Sequence, residues 1–314
     1  MAHSKSDLIH RFLTGVLVVA AIGVICVPSG LAGAQVKSRE IWSGSSAGFT
    51  VRWTSGDITA VRAARPSRVV FSAKSIAQRK FLKFKKENTE ENTSWLCSYT
   101  LRFKLLSLTG SILSYEETES SYCGTEKGPG WAHPSDQTTY RVLDLNQVDK
   151  PVRLTDYFSE SEILRALLAD PLVGSALKQA GAAEKPASIG SLLKLFSERQ
   201  LQLEPQAGTA ESPKECTFIF PEDPLTQFAF HHTENDKVAV RLSLDPASGA
   251  CRTAHAELGI LLPISNKVAA AIAAANSGSQ GFLMKDSQRL FKGAATTFEF
   301  KARLGTAATT RRAR

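Results

Sequence analysis

Trp95-Leu96-Cys97-Ser98-Tyr99-Thr100-Leu101-Arg102-Phe103-Lys104 is the stretch whose reading decides the fold. Trp95, Cys97, Tyr99, Leu101 and Phe103 share one parity, and Leu96 apart, polar residues stand between them. That is the period-two pattern of a half-buried strand. Ser107-Leu108-Thr109-Gly110 reads as a turn, and Ile112 to Tyr122 returns as a second strand. A hairpin centred there sets Cys97 opposite residues near 120, so Cys123 comes within bridging reach after a small register shift.

On the amino-terminal side, residues 35–75 read as short strands. Phe49, Val51 and Trp53 alternate with Thr50, Arg52 and Thr54, and Ser55-Gly56-Asp57 supplies a hairpin turn. Lys74 to Lys86 is basic, with Ile76, Phe81 and Phe84 at uneven spacing. We read it as a solvated edge whose aromatics reach the core; contact with an anionic surface, weakening steeply with salt, is its functional alternative. Glu87 to Ser94 is a polar loop, and Asn92-Thr93-Ser94 fits the glycosylation sequon.

On the carboxyl side, Gly124 to Pro134 is a Gly/Pro-rich loop and Tyr140 to Leu145 a short strand. Ser159-Glu160-Ser161-Glu162 matches a capping box. Ile163, Leu164, Leu167 and Leu168 then fall on one helical face, with Pro171 closing the segment. Ala187 to Leu203 repeats this periodicity, and Gln206 to Lys214 is a polar linker. Strands return at Cys216–Phe220, Leu225–His231, Lys237–Leu244 and His255–Leu262. An Ala-rich helix over Asn266–Asn276 and a strand over Phe298–Leu304 precede the basic Arg311-Arg312-Ala313-Arg314 end. Strands, helices, then strands predict an α+β fold: antiparallel sheets with helices inserted between two strand-rich regions.

The chain has 314 residues, 43% apolar and 22% charged, with 38 Lys+Arg against 30 Asp+Glu. These values exclude a disordered polymer or a collagen-like repeat and allow one large domain or two small ones. The net charge of +8 is spread along the chain, which argues against a nucleic-acid partner. Lys5 and Arg11 make a basic start, Phe12 to Val27 is uncharged, and Ala32-Gly33-Ala34 offers small residues before Gln35. This reads as a cleaved secretory signal peptide over residues 1–34. As a helix the apolar run would rise only about 24 Å, short of a bilayer core of roughly 30 Å. The expected product is exported, periplasmic or extracellular, with no stable membrane span. Losing Lys5, Asp7 and Arg11 leaves it at +7.

Cleavage also removes Cys26 and leaves Cys97, Cys123, Cys216 and Cys251. An even number in an exported chain predicts disulfides, with three possible connectivities. The locally connected strand regions favour Cys97–Cys123 and Cys216–Cys251. No C-x-x-C spacing, P-loop, G-x-G-x-x-G or H-E-x-x-H is present, so no metal or cofactor is expected. His231 and His232 are neighbours on a strand and should face opposite sides, which denies them a common metal without a bulge. Asp144 and Asp156 are the candidate carboxylate pair for glycan chemistry, although a strand end and a helix start suit turn and capping roles. Trp131 and His133, on the Gly/Pro loop, are candidates for partner contact.

Gly130-Trp131-Ala132-His133-Pro134, Val142-Leu143-Asp144-Leu145 and Val152-Arg153-Leu154-Thr155-Asp156-Tyr157-Phe158 occur in a suggestive order. With Phe218, Phe228, Phe230 and Leu258-Gly259-Ile260-Leu261-Leu262-Pro263-Ile264, they resemble an exported bacterial domain-of-unknown-function family. That family includes the lysozyme-binding ectodomain of an anti-sigma factor and the non-catalytic region of a peptidoglycan deacetylase. Trp131 stands where a second glycine is usual, His231-His232 replaces a Tyr-rich strand, and the four cysteines are not a family trait. The resemblance implies an α+β domain over 95–265, after a strand-rich region at 35–94 and before a helix, strand and basic tail at 266–314. Eleven residues before the apolar run are too few for a cytosolic anti-sigma half, and the resemblance leaves no room for a fused deacetylase.

The functional expectation is an exported, non-enzymatic envelope protein whose partner is a lysozyme-like protein or peptidoglycan. Lysozyme capture meets a charge objection, since both proteins would be basic. The alternative is a peptidoglycan-modifying enzyme using Asp144, Asp156 or a histidine site.

Overall fold

A computed structural model describes residues 38–88, 95–124, 135–181, 185–204 and 216–304. The expected leader, the sequon, Trp131, His133, the 206–214 linker and the basic end lie outside the described residues. In chain order the elements are β1 (Glu40–Ser46), β2 (Phe49–Thr54), β3 (Ile58–Arg62), β4 (Arg68–Ser72), α1 (Ala73–Glu87), β5 (Trp95–Thr109), β6 (Ile112–Gly124) and β7 (Ser135–Asp144). Then follow α2 (Glu160–Ala169), α3 (Pro171–Gln179), α4 (Ile189–Glu198), β8 (Phe218–Ile219), β9 (Phe228–Glu234), β10 (Lys237–Pro246) and β11 (Ala256–Pro263). The last are α5 (Ala269–Asn276), α6 (Met284–Leu290) and β12 (Thr296–Leu304). The fold is α+β with antiparallel sheets. The first sheet runs β1-β2-β3-β4 and the central sheet β12-β5-β6-β7. In the third, β10 has β11 on one edge and β9, then β8, on the other.

The central sheet is used on both faces. Tyr99, Leu101, Phe103, Leu105 and Tyr115 point toward the first sheet and α1, burying Phe49, Val51, Trp53, Ile58 and Phe71 with them. Alternation along β2 therefore reads as expected, its odd residues inward and Thr50 and Arg52 outward. On the opposite face Leu106 and Tyr140 meet Ala229 of β9 and Met284 of α6. The far side of the third sheet carries Val238, Val240, Leu242 and Leu244, which pack against Ile163, Leu167, Leu192 and Ile272 of the helices.

The hairpin register changes once. Leu108 pairs with Leu113 but Leu105 with Tyr115, leaving Leu106 as a bulge. Carried on unchanged, the turn-proximal register would set Cys97 opposite Gly124; the bulge sets it opposite Cys123 instead. The two form a disulfide with Cα atoms 4.1 Å apart, and Cys216–Cys251 is the second. Both are the pairings the strand regions favour.

Several local expectations need correction. Ser107 to Thr109 are the end of β5, and the turn is only Gly110-Ser111. Lys74 to Lys86 is a helix, not an edge: Ala73, Ala77, Phe81 and Phe84 fall three or four apart along its inner face. Its aromatics do reach the core, Phe84 stacking on Tyr99 and Phe81 on Phe300. Pro171 ends α2 as expected but also opens α3, where its missing N–H costs nothing at the first helical position. The strand expected from Tyr140 begins five residues earlier, at Ser135. His231 and His232 do not face opposite sides: Ala239 pairs with His232 but Val240 with Phe230, so His231 is itself a bulge.

The capping box is formed as expected, Ser159 accepting from Glu162 N and Glu162 from Ser159 N. The first and central sheets are joined by a fully buried relay. Trp53 Nε1 donates to Thr296 Oγ1 (3.1 Å), whose own hydroxyl donates to Thr54 O (2.6 Å). Thr296→Val keeps the shape and orphans both partners, so urea denaturation should register a loss of about 2–4 kcal/mol. Thr296→Ser, which retains the hydroxyl, should lose much less.

Candidate functional site

A cleft of about 540 Å³ lies where the first sheet meets the central one, and short sequence signals build each wall. One wall is β4 and the first turns of α1. Ser72 caps α1 by accepting from Ser75 N, and its hydroxyl donates to Asp57 Oδ2. Asp57 Oδ1 accepts from Ile58 N and Lys74 N, so one carboxylate fixes the strand-to-helix corner. This presents Arg68, Val69, Ile76 and Arg79 to the cleft.

The other wall is Tyr115 of β6, Arg141 to Leu143 of β7, and the turn from Val148 to Pro151. Asp144 closes β7 by accepting from Asn146 N (2.9 Å), and Asn146 Oδ1 accepts from Arg62 Nη2 of β3 (3.3 Å). Burial raises the Tyr115 pKa, with the Glu117 charge adding to the effect and Arg141 and Arg79 opposing it. Tyr115 is therefore a neutral phenol at physiological pH.

The charges around this cleft are unequal. Glu117, only 3% exposed, accepts from Lys80 of α1 (2.6 Å) and Arg141 of β7 (3.4 Å). That shared carboxylate ties the two walls together and neutralises part of the nearby positive charge. Arg68, Arg79 and Lys150 have no ion-pair partner among the described residues, and Asp149 is the acidic residue lining the same space. Val69 and Val148 leave exposed apolar surface at the rim. The arrangement suits an elongated ligand bearing negative charge and short apolar groups. Two depressions beside α2, of about 620 and 580 Å³, lack such a concentration of charge.

Asp144 and Asp156 are both engaged in the scaffold. Asp156 accepts from Arg153 N (2.8 Å), and its carbonyl accepts from Lys267 Nζ (2.7 Å). Both carboxylates lie near Tyr157, whose pKa is raised by burial first and by their charges second. Trp131 and His133 lie outside the described residues. The cleft residues Arg68, Arg79, Arg141 and Lys150 were missed by sequence reasoning because only Arg79 falls in a noticeable basic run.

A second polar assembly lies between the central and third sheets. Tyr140 Oη donates to Glu257 Oε2 (2.7 Å) and stands 3.2 Å from His255 Nε2. Arg241 approaches Glu257 (3.4 Å) and lies over Gly259, where an added Cβ would push the flexible guanidinium aside. The His231 bulge turns its ring toward His232, the Nδ1 atoms standing 2.6 Å apart, with His231 Nε2 3.2 Å from Gln288 Oε1 of α6. His231 thus bridges His232 of its own strand and Gln288 of α6 through its two ring nitrogens. Among the described residues, no group of three or more His, Cys, Asp or Glu side chains is placed to hold a metal ion.

No protein-family model, curated protein or solved structure matches this chain.

The histidine pair makes a pH prediction. Both pKa values are lowered, in each case by burial first; Arg241 opposes protonation of both, Lys285 that of His232, while Glu257 favours it at His231 and Glu234 at His232. The unfolded chain then takes up protons that the folded chain resists, so stability rises with pH through this window. The contribution is complete above the ordinary value of 6.5 and is lost as pH falls from there toward the lowered folded values. Thermal unfolding from about pH 8 to pH 5 should show Tm falling below 6.5, and His231→Gln with His232→Gln should flatten that decline.

Proposed function

We propose that this chain is an exported, non-catalytic binding protein that engages an acidic component of the cell envelope through the cleft between β4–α1 and β7. The observation that carries this reading is the set of three cations, Arg68, Arg79 and Lys150, lining one space without ion-pair partners among the described residues. Like charges gathered in one groove repel one another, and an anionic ligand relieves that repulsion.

Two disulfides support maturation in an oxidising compartment. Among the described residues no helix is long and apolar enough to cross a membrane. The signal-peptide pattern and the resemblance to exported envelope domains point the same way. Binding is favoured over turnover because Asp144 and Asp156 are committed to a turn and a cap. The cleft's charge favours peptidoglycan or an acidic envelope protein over a basic lysozyme-like one.

Cosedimentation with isolated peptidoglycan and retention on immobilised envelope proteins test this reading. Wild-type protein should be held by at least one fraction at low salt, with retention declining as salt screens the cleft. Charge reversal at Arg68→Glu, Arg79→Glu and Lys150→Glu, all exposed positions, should weaken retention by at least about tenfold. Undiminished retention of that variant, or no retention of wild type by either fraction, overturns the proposal.

A further inference from the structure

The cleft is bordered by the outer strands of two different sheets. β4 ends the first sheet and β7 ends the central one, and no described strand pairs with the outer edge of either. These edges are not equivalent. β4 is short, and its ladder with β3 is broken at Val70, because Ala60 pairs with Phe71 but Val61 with Val69. A bulge on an outer strand twists its free groups away from a regular ladder, a common way of blunting an edge.

β7 lacks that protection. Its register with β6 runs unbroken from Ile112↔Asp144 to Ser121↔Ser135, so its outer edge keeps regular strand geometry over ten residues. No backbone hydrogen bond joins the Val148–Pro151 turn to Arg141, Val142 or Leu143. Among the described residues, alternate N–H and C=O groups of this stretch have no backbone partner, which leaves them to a further strand. Such a strand would point every second side chain into the space holding Arg68, Arg79 and Lys150, with Val69 and Val148 at the rim.

We infer that an extended, acidic peptide segment of a partner protein pairs with the outer edge of β7 and places alternate carboxylates against Arg68, Arg79 and Lys150. This deepens the proposed function and rests on it. Strand addition supplies affinity through main-chain hydrogen bonds, and the cleft supplies selectivity through alternate side chains. A segment of about five residues spans roughly 17 Å in extended form, a length that β7 accommodates.

Fluorescence anisotropy of labelled peptides with the full chain tests the inference. The probe is an alternating valine–aspartate peptide of about seven residues. It should bind, and its lysine counterpart should not. N-methylation of alternate backbone nitrogens, in either of the two alternating patterns, keeps every charge, and the pattern that removes the donors facing β7 should weaken binding by at least about tenfold. The Arg79→Glu, Lys150→Glu variant should weaken it similarly, with unchanged thermal unfolding as the control for folding. Equal binding of the two methylation patterns and the parent peptide overturns strand addition, as does binding of soluble peptidoglycan fragments in place of the peptide. In either case envelope retention by wild type leaves the proposed function standing. Loss of that retention as well removes the reading beneath it.

Discussion

The ladder between β5 and β6 is packed on both faces, and this double use constrains the rest of the molecule. A strict two-residue period would put Leu105 and Leu108 on opposite faces, yet both belong to the cluster under the first sheet. The bulge at Leu106 reconciles these positions, and it sends Leu106 itself to the other face against Tyr140, Ala229 and Met284. The same insertion sets the register that brings Cys97 opposite Cys123. One extra residue thus serves both cores and the disulfide. Deleting it would displace one set of side chains in order to preserve another.

The faces differ in how they tolerate charge. Toward the first sheet, Glu117 is almost fully buried yet accepts from Lys80 and Arg141, which come from different layers. A buried ion pair is a weak source of stability, since desolvation offsets much of the attraction, but removing one partner leaves a costly uncompensated charge. Glu117 is therefore better understood as a spacer that fixes α1 relative to β7, the two elements framing the cleft. Toward the third sheet, Glu257 accepts from Tyr140 and pairs with Arg241, whose guanidinium lies over Gly259. Both interfaces place hydrogen-bonded polar groups between packed layers.

Local patterns in the sequence carried the strands of the first and central sheets, the capping box at Ser159–Glu162 and the cysteine pairing. Each depends on residues close in sequence or on a simple period. The helix over Ala73–Glu87 escaped because its inner face includes Lys80, a charge that finds its partner in Glu117 and so breaks the apolar stripe. The shared side of His231 and His232 escaped because a bulge reverses parity, and nothing in the sequence of β9 marks the extra residue. The cleft was the least legible feature. Its cations are spread from Arg68 to Lys150 and become neighbours only when β4, α1 and β7 are assembled.

That dispersal bears on how the cleft should be understood. Lys80 and Arg141 are matched by Glu117, the spacer between α1 and β7. Among the described residues Arg68, Arg79 and Lys150 have no ion-pair partner, although Asp149 lines the same cleft. Surface charges at this spacing are softened by solvent and salt, so the penalty is small. It nevertheless has one sign. A chain that neutralises its buried charge and leaves its groove positive has the electrostatic profile that the proposed anionic ligand requires, with the regular edge of β7 beside it.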